Sequence, residues 1–418
     1  MRFPLATKAL VAALAIAIGV DVGAATAAAP TQVDPLAVIV RERAELLAAG
    51  EFTPALAVAV VRPGQPDLLF AEGVPYRGAQ AHVDEHTVFR LASVSKGFAA
   101  TLCALLADAG YMALDQSIAD LVPGLELADP SASSALTLER LLSHQTGLPH
   151  HTFDVKIEAY APLSDLIPAL KTVRPTCGVG ECYAYQNVIF NLAADAAFNA
   201  AGAFFDQELR RRLLLPLGMD ETSVGREPLI AASNWARPHV KGKRGWTAVE
   251  PKATYYQLPA AAGVNASIHD VAIWMRAQLG ERPEVLPPEV LGKLHEPRVE
   301  TPYEIGNSTW RRQRLQSASY ALGWRIFDYA GETLVFHAGA VQGYRAMVGL
   351  LPEHGIGVAL LWNSNSGVPG GLMPVVLDQV LGLEGPDWLE TDKLRQQARW
   401  RQTAQAGQRG ARGSGGGP

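Results

Sequence analysis

The sequence is short of charge, of cysteine and of long apolar runs. Of its 418 residues 18% are charged, against roughly 25% in ordinary soluble domains. With 48% hydrophobic residues, the chain has enough apolar content to fold over most of its length, which excludes general disorder. No stretch approaches the roughly 20 consecutive apolar residues that a membrane-crossing helix needs. An excess of basic charge is missing too: 36 Lys and Arg face 41 Asp and Glu, a formal net charge of −5. Residues 1–29 contribute +1 and residues 393–418 contribute +6, which leaves −12 on the body 30–392. An acidic body cannot replace the counterions of a phosphate backbone, so a nucleic-acid partner is excluded. Phosphate-loop and dinucleotide glycine signatures are absent, and no cofactor is expected; the Gly-x-Ser-x-Gly of α/β-hydrolases is absent as well. Three cysteines are too few for a disulfide scaffold and leave at least one thiol unpaired.

Both ends differ from the body. Arg2 and Lys8 precede the 12-residue apolar stretch Ala9–Val20, and small residues follow at Ala25-Thr26-Ala27 and Ala27-Ala28-Ala29. This is the pattern of a secretory signal peptide over residues 1–29, and it predicts a periplasmic or secreted protein with no membrane span after cleavage. Residues 386–418 are basic, end in glycine and lack apolar periodicity, and a disordered tail is expected there.

Between them, 34–385 reads as one catalytic domain. A helix is predicted from Asp34-Pro35 to just before Gly50, followed by strand-like runs at Ala55–Arg62 and Leu68–Gly73. Helical patterns dominate from about 93 to 317. Strand-like runs return at Tyr320–Tyr329, Thr333–His337, Tyr344–Leu351 and Ile356–Trp362, and a last helix covers roughly Gly371–Leu381. The turns between the late strands are too short for helical crossovers, so those strands should be antiparallel. The expected sheet layer is thus assembled from about 34–92 and 318–385.

Three short motifs carry chemistry. Ser93-Val94-Ser95-Lys96 stands at a strand-to-helix junction, after Phe89-Arg90-Leu91-Ala92 and before a predicted helix Val94–Ala109. Residues i and i+3 share one helix face, so the Lys96 amine can reach the Ser93 hydroxyl. A serine hydroxyl needs a base to become a nucleophile. Tyr185, in Tyr185-Gln186-Asn187, can serve as one if a neighbouring ammonium lowers its pKa. Asn187 can hold Lys96 or donate to a substrate carbonyl, or simply cap the helix Val188–Ala201. The third motif, His337-Ala338-Gly339, ends a strand-like run. Taken singly each has a plain structural explanation: an N-cap serine, a buried tyrosine, a core histidine. Together, in this order, they seldom arise by chance.

The three motifs resemble those of the serine β-lactamase and penicillin-binding-protein superfamily, in its class C branch. That branch holds β-lactamases, D-Ala-D-Ala carboxypeptidases and esterases. The segments DEHTVFRLASVSK, LLSHQTGLP, LPLGM, PAAAGVNASIHDVAIWM and HAGAVQGYRA agree with it, over roughly residues 35–382. The resemblance implies a β-lactamase/transpeptidase-like α+β fold, a mostly antiparallel sheet flanked by helices and packed on a helical subdomain, in a monomer. It implies a serine hydrolase acting on a small ester, amide or peptide through an acyl-Ser93 intermediate. Lys96 and Tyr185 would move the proton. The N–H groups of Ser93 and Ala340 would form the oxyanion hole, and Asn187, His337 and Gly339 would help bind substrate; no metal takes part. The family's third motif is commonly Lys-Thr-Gly or His-Thr-Gly, and here the threonine is lost and a largely neutral imidazole replaces the ammonium. The anchor for a substrate carboxylate is therefore weakened. Together with the bulky Gln186, this leans away from an efficient β-lactamase and toward a less charged ester or amide. Arg345 is a candidate for the lost cation, with a strand surface as its ordinary place. The alternatives are a D,D-peptidase or weak class C β-lactamase and, in another class, a non-catalytic sensor that acylates without turnover.

Other groups carry less. Cys177 and Cys182, in CGVGEC, can form a local disulfide that would tie down the loop before Tyr185. Cys103 reads as a buried small hydrophobe. His82 and His86 match the zinc pattern His-x-x-Glu-His, which requires a helix that this Pro- and Gly-flanked segment does not predict. His144 reads as a helix-end residue bonding orphan carbonyls, and His150 and His151 as loop residues.

Overall fold

The computed structural model describes residues 34–49 and 52–390. The predicted signal peptide and all but the first five residues of the predicted tail lie outside them. No helix among the described residues is long and apolar enough to cross a membrane.

The first helix, Pro35–Ala49, buries Leu36, Val40, Ala44 and Leu47, a spacing that keeps one helical face against the sheet. Strands follow as β1 (Ala55–Val61), β2 (Leu68–Gly73) and β3 (Phe89–Arg90), then β4 (Ser223–Val224), β5 (His239–Gly242), β6 (Gly245–Ala248), β7 (Val264–Ala266) and β8 (Val299–Glu300). The C-terminal set is β9 (Leu315–Tyr320), β10 (Arg325–Tyr329), β11 (Glu332–Val341), β12 (Tyr344–Leu351) and β13 (Ile356–Trp362). The main sheet has the order β2-β1-β13-β12-β11-β10-β9-β8, and each of its neighbouring pairs is antiparallel. This is the expected α+β architecture.

Both faces of the sheet are covered. One packs on the first helix and the last, Leu372–Leu381, through residues such as Val40, Leu47, Val58, Leu360 and Val376. The other packs on the large helical region through Ala57, Ala59, Leu91, Phe98, Trp274 and Leu361. Coverage on both sides explains why β1, a near-continuous apolar run, is buried at all seven positions.

The structure refines the predicted elements in three places. Tyr320–Tyr329 is not one strand, because 321–324 turns back: Ala321 N–H donates to Trp324 O at 2.8 Å, and Gly323 adopts φ +73°. A side chain at Gly323 would meet the Lys96 carbonyl at 2.5 Å, so this turn packs directly on the helix that carries Lys96. The run beginning at Thr333 extends through Val341, which puts Gly339 and Ala340 on the strand. Short sheets, β3-β7-β4 and β5-β6, interrupt the stretch expected to be helical.

Candidate active site

Ser93 sits in a single 3-10 turn, Ala92–Val94, between β3 and the helix Ser95–Asp108. The residue before it, Ala92, has φ +49°, a conformation that L-residues rarely adopt and that sharpens the turn from strand to helix. β11 crosses this turn closely. A Cβ on Gly339 would lie 2.1 Å from Leu91 O and 3.0 Å from Ser93 N, so only glycine fits there. The crossing places the Ser93 amide beside the strand that carries Ala340, which is exposed on the cleft. An N–H in the first turn of a helix has no intrahelical partner and can serve as an oxyanion donor.

Lys96, three residues on, is fully buried. Its Nζ donates to Asn187 Oδ1 at 2.7 Å and to Ala261 O at 3.1 Å. It lies 4.6 Å from the Tyr185 ring centroid and 5.2 Å from that of Phe190. Burial drives the Lys96 pKa well below its usual range; Asp154 opposes this and Arg325 adds to it. These two oxygen acceptors fix the Lys96 amine beside the Tyr185 ring.

Tyr185 lines the same cleft as Ser93, and burial pushes its phenol up to about 12 despite the lowering effects of Arg325 and the Ser93 side chain. This reverses the expected lowered phenol. Removal from water outweighs nearby positive charge, and the group depressed is the amine. Tyr185 is clamped through its backbone: its N–H donates to His150 Nδ1 at 3.0 Å, and its carbonyl accepts from His151 N–H at 2.9 Å. His144 lies beneath it, ring centroids 4.4 Å apart. The His144 imidazole accepts the Gln186 N–H at 3.2 Å and bonds no helix-end carbonyl; its backbone N–H closes that turn instead, donating to Leu141 O. Gln186 is buried with its side chain bonded to the backbone of Thr152, Leu148 and Pro149, so it braces a loop and does not crowd the cleft. Cys177 and Cys182 form a disulfide in the preceding segment, which is pinned by Thr176 N–H to Gly147 O and Gly180 N–H to Gln145 O. Cys103 is free and buried, its thiol pushed up to about 12.

Asn187 also reaches a group that no sequence pattern marked. Its amide donates to Asp154 Oδ2 at 2.8 Å, and the same oxygen bonds His151 Nδ1 at 2.8 Å. A continuous polar row therefore runs Lys96–Asn187–Asp154–His151.

The opposite wall departs further from expectation. His337 is fully buried, and its side chain lies behind the cleft. Its Nδ1 bonds Ala338 O at 3.0 Å, while Nε2 meets Tyr320 Oη at 3.1 Å and Arg325 Nη1 at 3.3 Å. Burial, with Arg325 and Lys96, drives its pKa well down, and since a guanidinium can only donate, Nε2 is the acceptor for Arg325. Arg325 itself lines the cleft, and its guanidinium lies 5.4 Å from the Tyr185 ring centroid. Glu304 faces both Arg325, at 3.4 Å, and Arg311. Arg345 does not supply the missing cation: its Nη1 is bonded to Val341 O and Tyr344 O, each at 2.9 Å. The cleft between the walls has a volume of about 650 Å³ and is lined by Ser93, Tyr185, Asn187, His151, Asp154, Arg325 and Ala340, among others.

The family profile described as Beta-lactamase matches residues 43–381. The chain belongs to the Beta-lactamase family. It is therefore related to serine hydrolases over most of its length. It is 28% identical over 347 residues to penicillin-binding protein 4 of Amycolatopsis lactamdurans, covering 82% of this chain and 88% of that one. It is 26% identical to an unguisins hydrolase of Aspergillus campestris, over 68% of this chain but only 54% of that protein's length. The fold is similar to the octameric penicillin-binding protein homologue from Pyrococcus abyssi, with a TM-score of 0.72, 22% identity and coverage of 84% and 77%. It is also similar to the D-amino acid amidase from Ochrobactrum anthropi SV3, with a TM-score of 0.66, 19% identity and coverage of 82% and 99%.

Proposed function

We propose that this Beta-lactamase-family chain hydrolyses an ester or amide by forming and then hydrolysing an acyl-Ser93. The observation that carries the reading is the meeting of Ser93 and Tyr185 in one cleft beside a buried Lys96 that is held by two acceptors and whose pKa is driven well down. Ser93 Oγ attacks the carbonyl carbon. Its proton passes through the neutral Tyr185 hydroxyl to the Lys96 amine, and the N–H groups of Ser93 and Ala340 receive the oxyanion. The tetrahedral intermediate collapses, the scissile bond breaks, and the proton returns along the same path to the leaving nitrogen or oxygen. Water then repeats the sequence on the acyl-enzyme. Proton transfer of this kind contributes about 10²–10⁴-fold and one oxyanion donor about 10²–10³-fold.

A second reading, as a D,D-peptidase or weak β-lactamase, is favoured by Arg325. Its guanidinium faces the same cleft as Ser93 and suits a substrate carboxylate, which offsets the loss of lysine from the third motif. Similarity to a penicillin-binding protein and to an amidase fold adds support. We further propose export, supported by the leader pattern of residues 1–29 and by the Cys177–Cys182 disulfide, since disulfides persist in oxidising compartments.

The test uses purified protein and its Ser93→Ala variant with a fluorescent penicillin, nitrocefin, p-nitrophenyl butyrate and a D-alanyl-D-alanine peptide. Turnover abolished by Ser93→Ala supports the hydrolase. A stable label on Ser93 with no turnover supports the sensor. Activity unchanged in Ser93→Ala refutes the mechanism.

A further inference from the structure

The segment His82–His86 carries the His-x-x-Glu-His pattern, and it forms no helix, so its two histidines cannot ligate as that motif requires. One of them meets different partners. His86, Glu221 and His269 come from three distant parts of the chain, and each offers one ligand atom within 4.8 Å of the other two. His86 Nδ1 lies 2.7 Å from Glu221 Oε1, and the two imidazole centroids are 5.0 Å apart. None of the three lines the catalytic cleft.

Two further observations mark this as more than a chance meeting of surface side chains. Glu221 Oε2 is buried and has no hydrogen-bond partner. A carboxylate oxygen shut away from water is costly unless something positive or donating meets it. Behind the cluster, Asp270 is almost wholly buried. It takes the Glu221 N–H at 2.9 Å and the Thr222 hydroxyl at 2.8 Å on one oxygen, and it faces His269 Nδ1 at 3.4 Å with the other. A carboxylate behind one imidazole nitrogen fixes the ring so that the other nitrogen can bind a metal, the usual support of a metal-bound histidine. The bases are anchored as well: His86 N–H donates to Asp84 Oδ1 at 3.1 Å, and His269 N–H donates to Glu85 O at 3.1 Å.

We propose that His86, Glu221 and His269 form a second, non-catalytic site for a divalent cation of the zinc class, outside the cleft that Ser93 lines and independent of the hydrolase reading. Two imidazoles and one carboxylate suit zinc, nickel or copper and not magnesium or calcium, which prefer oxygen ligands. Tetrahedral bonds of about 2.0–2.2 Å set ligand atoms about 3.4 Å apart, so His86 Nδ1 and Glu221 Oε1, at 2.7 Å, open slightly while the wider separations, within 4.8 Å, close. His86 is half exposed and supplies most of that movement while Asp270 holds the His269 ring; water would complete the tetrahedron. Binding would staple the segment leading into β3 and Ser93 to the loop after Met219 and to the start of the helix Ile268–Gln278.

The test is calorimetric titration of ZnCl₂ into the chelator-stripped full chain, with magnesium chloride as the control. The proposal expects one zinc per chain, no magnesium binding, and a melting temperature that rises with zinc. Affinity should fall at least tenfold in His86→Ala/His269→Ala and fall again, less steeply, in Glu221→Gln. Ester turnover or the circular dichroism spectrum reports that the variants are folded. Absence of stoichiometric zinc binding overturns the site. So does zinc binding of unchanged affinity in the double variant, which would place the ion on other surface histidines.

Discussion

The two walls of the cleft solve different problems and hold their parts in different ways. On the helical wall Lys96 bonds Asn187 and lies against the Tyr185 ring, and the motif positions Ser93, Tyr185 and Asn187 line the cleft themselves. On the sheet wall the motif residue, His337, has withdrawn behind the surface. The charge that faces the cleft belongs to Arg325 on the neighbouring strand, paired across from Phe336. A reaction needs a few atoms at fixed separations, which local spacing along one helix can dictate. A binding wall needs only a charge at about the right place, and adjacent strands offer several backbones from which to present it.

The sharpest way to break that contrast is Lys96→Met. Ester turnover should fall about 10²–10⁴-fold, read as kcat in single-turnover acylation. Arg325→Met should act on the other quantity. For a carboxylate-bearing substrate, KM should rise about 10- to 100-fold, the worth of one charge-assisted hydrogen bond. For p-nitrophenyl butyrate, kcat should change by less than about threefold. If Arg325→Met lowers kcat for the neutral ester as much as Lys96→Met does, the two walls are not separable.

Legibility in the sequence follows the same division. Ser93 and Lys96 could be paired because an i, i+3 spacing has one meaning on a helix, and the antiparallel C-terminal sheet followed from the shortness of its turns. Arg325 was invisible because Tyr320–Tyr329 reads as one strand. Only the reversal at 321–324, tied by Ala321 to Trp324, turns Arg325 toward the cleft and opposite Phe336. Asp154 and Glu304 lie in short helical segments without periodicity, and their meaning comes from partners about 20 to 30 residues away, Asn187 and Arg325. The signal in the sequence for the His150 and His151 clamp is the pair of histidines itself, next to LLSHQTGLP.

Acidity offers a milder probe that reaches behind both walls. His144 lies under Tyr185 and His337 lies under Arg325, and both are held well below their ordinary value of 6.5, chiefly by burial and then by the neighbouring cations. The folded state excludes their protons while the unfolded chain takes them up below about pH 6.5. Their contribution to stability is therefore present above that pH and is lost as pH falls through it toward the folded values. Each costs up to about 1.4 kcal/mol per pH unit. Melting temperature should drop between pH 7 and pH 5. His144→Gln and His337→Gln should each remove one proton's worth of that slope, measured by urea unfolding at several pH values. A slope equal to the wild type's in both variants would contradict the buried neutral imidazoles.

The smallest effect tests whether the helical wall depends on its disulfide. Cys177 and Cys182 close a loop with a sequence separation of only five, and loop-closure entropy for so short a ring is worth about 2 kcal/mol. Tyr185 lies three residues beyond Cys182, yet its backbone is held independently by His150 and His151, and Ala184 N–H donates to His144 O at 3.0 Å. Cys177→Ser/Cys182→Ser should therefore lower the melting temperature by a few degrees and change kcat for p-nitrophenyl butyrate by less than about threefold at 25 °C. A loss of kcat beyond tenfold in a variant still folded at that temperature would mean that the covalent tie, and not the histidine clamp, holds Tyr185 in its place in the cleft.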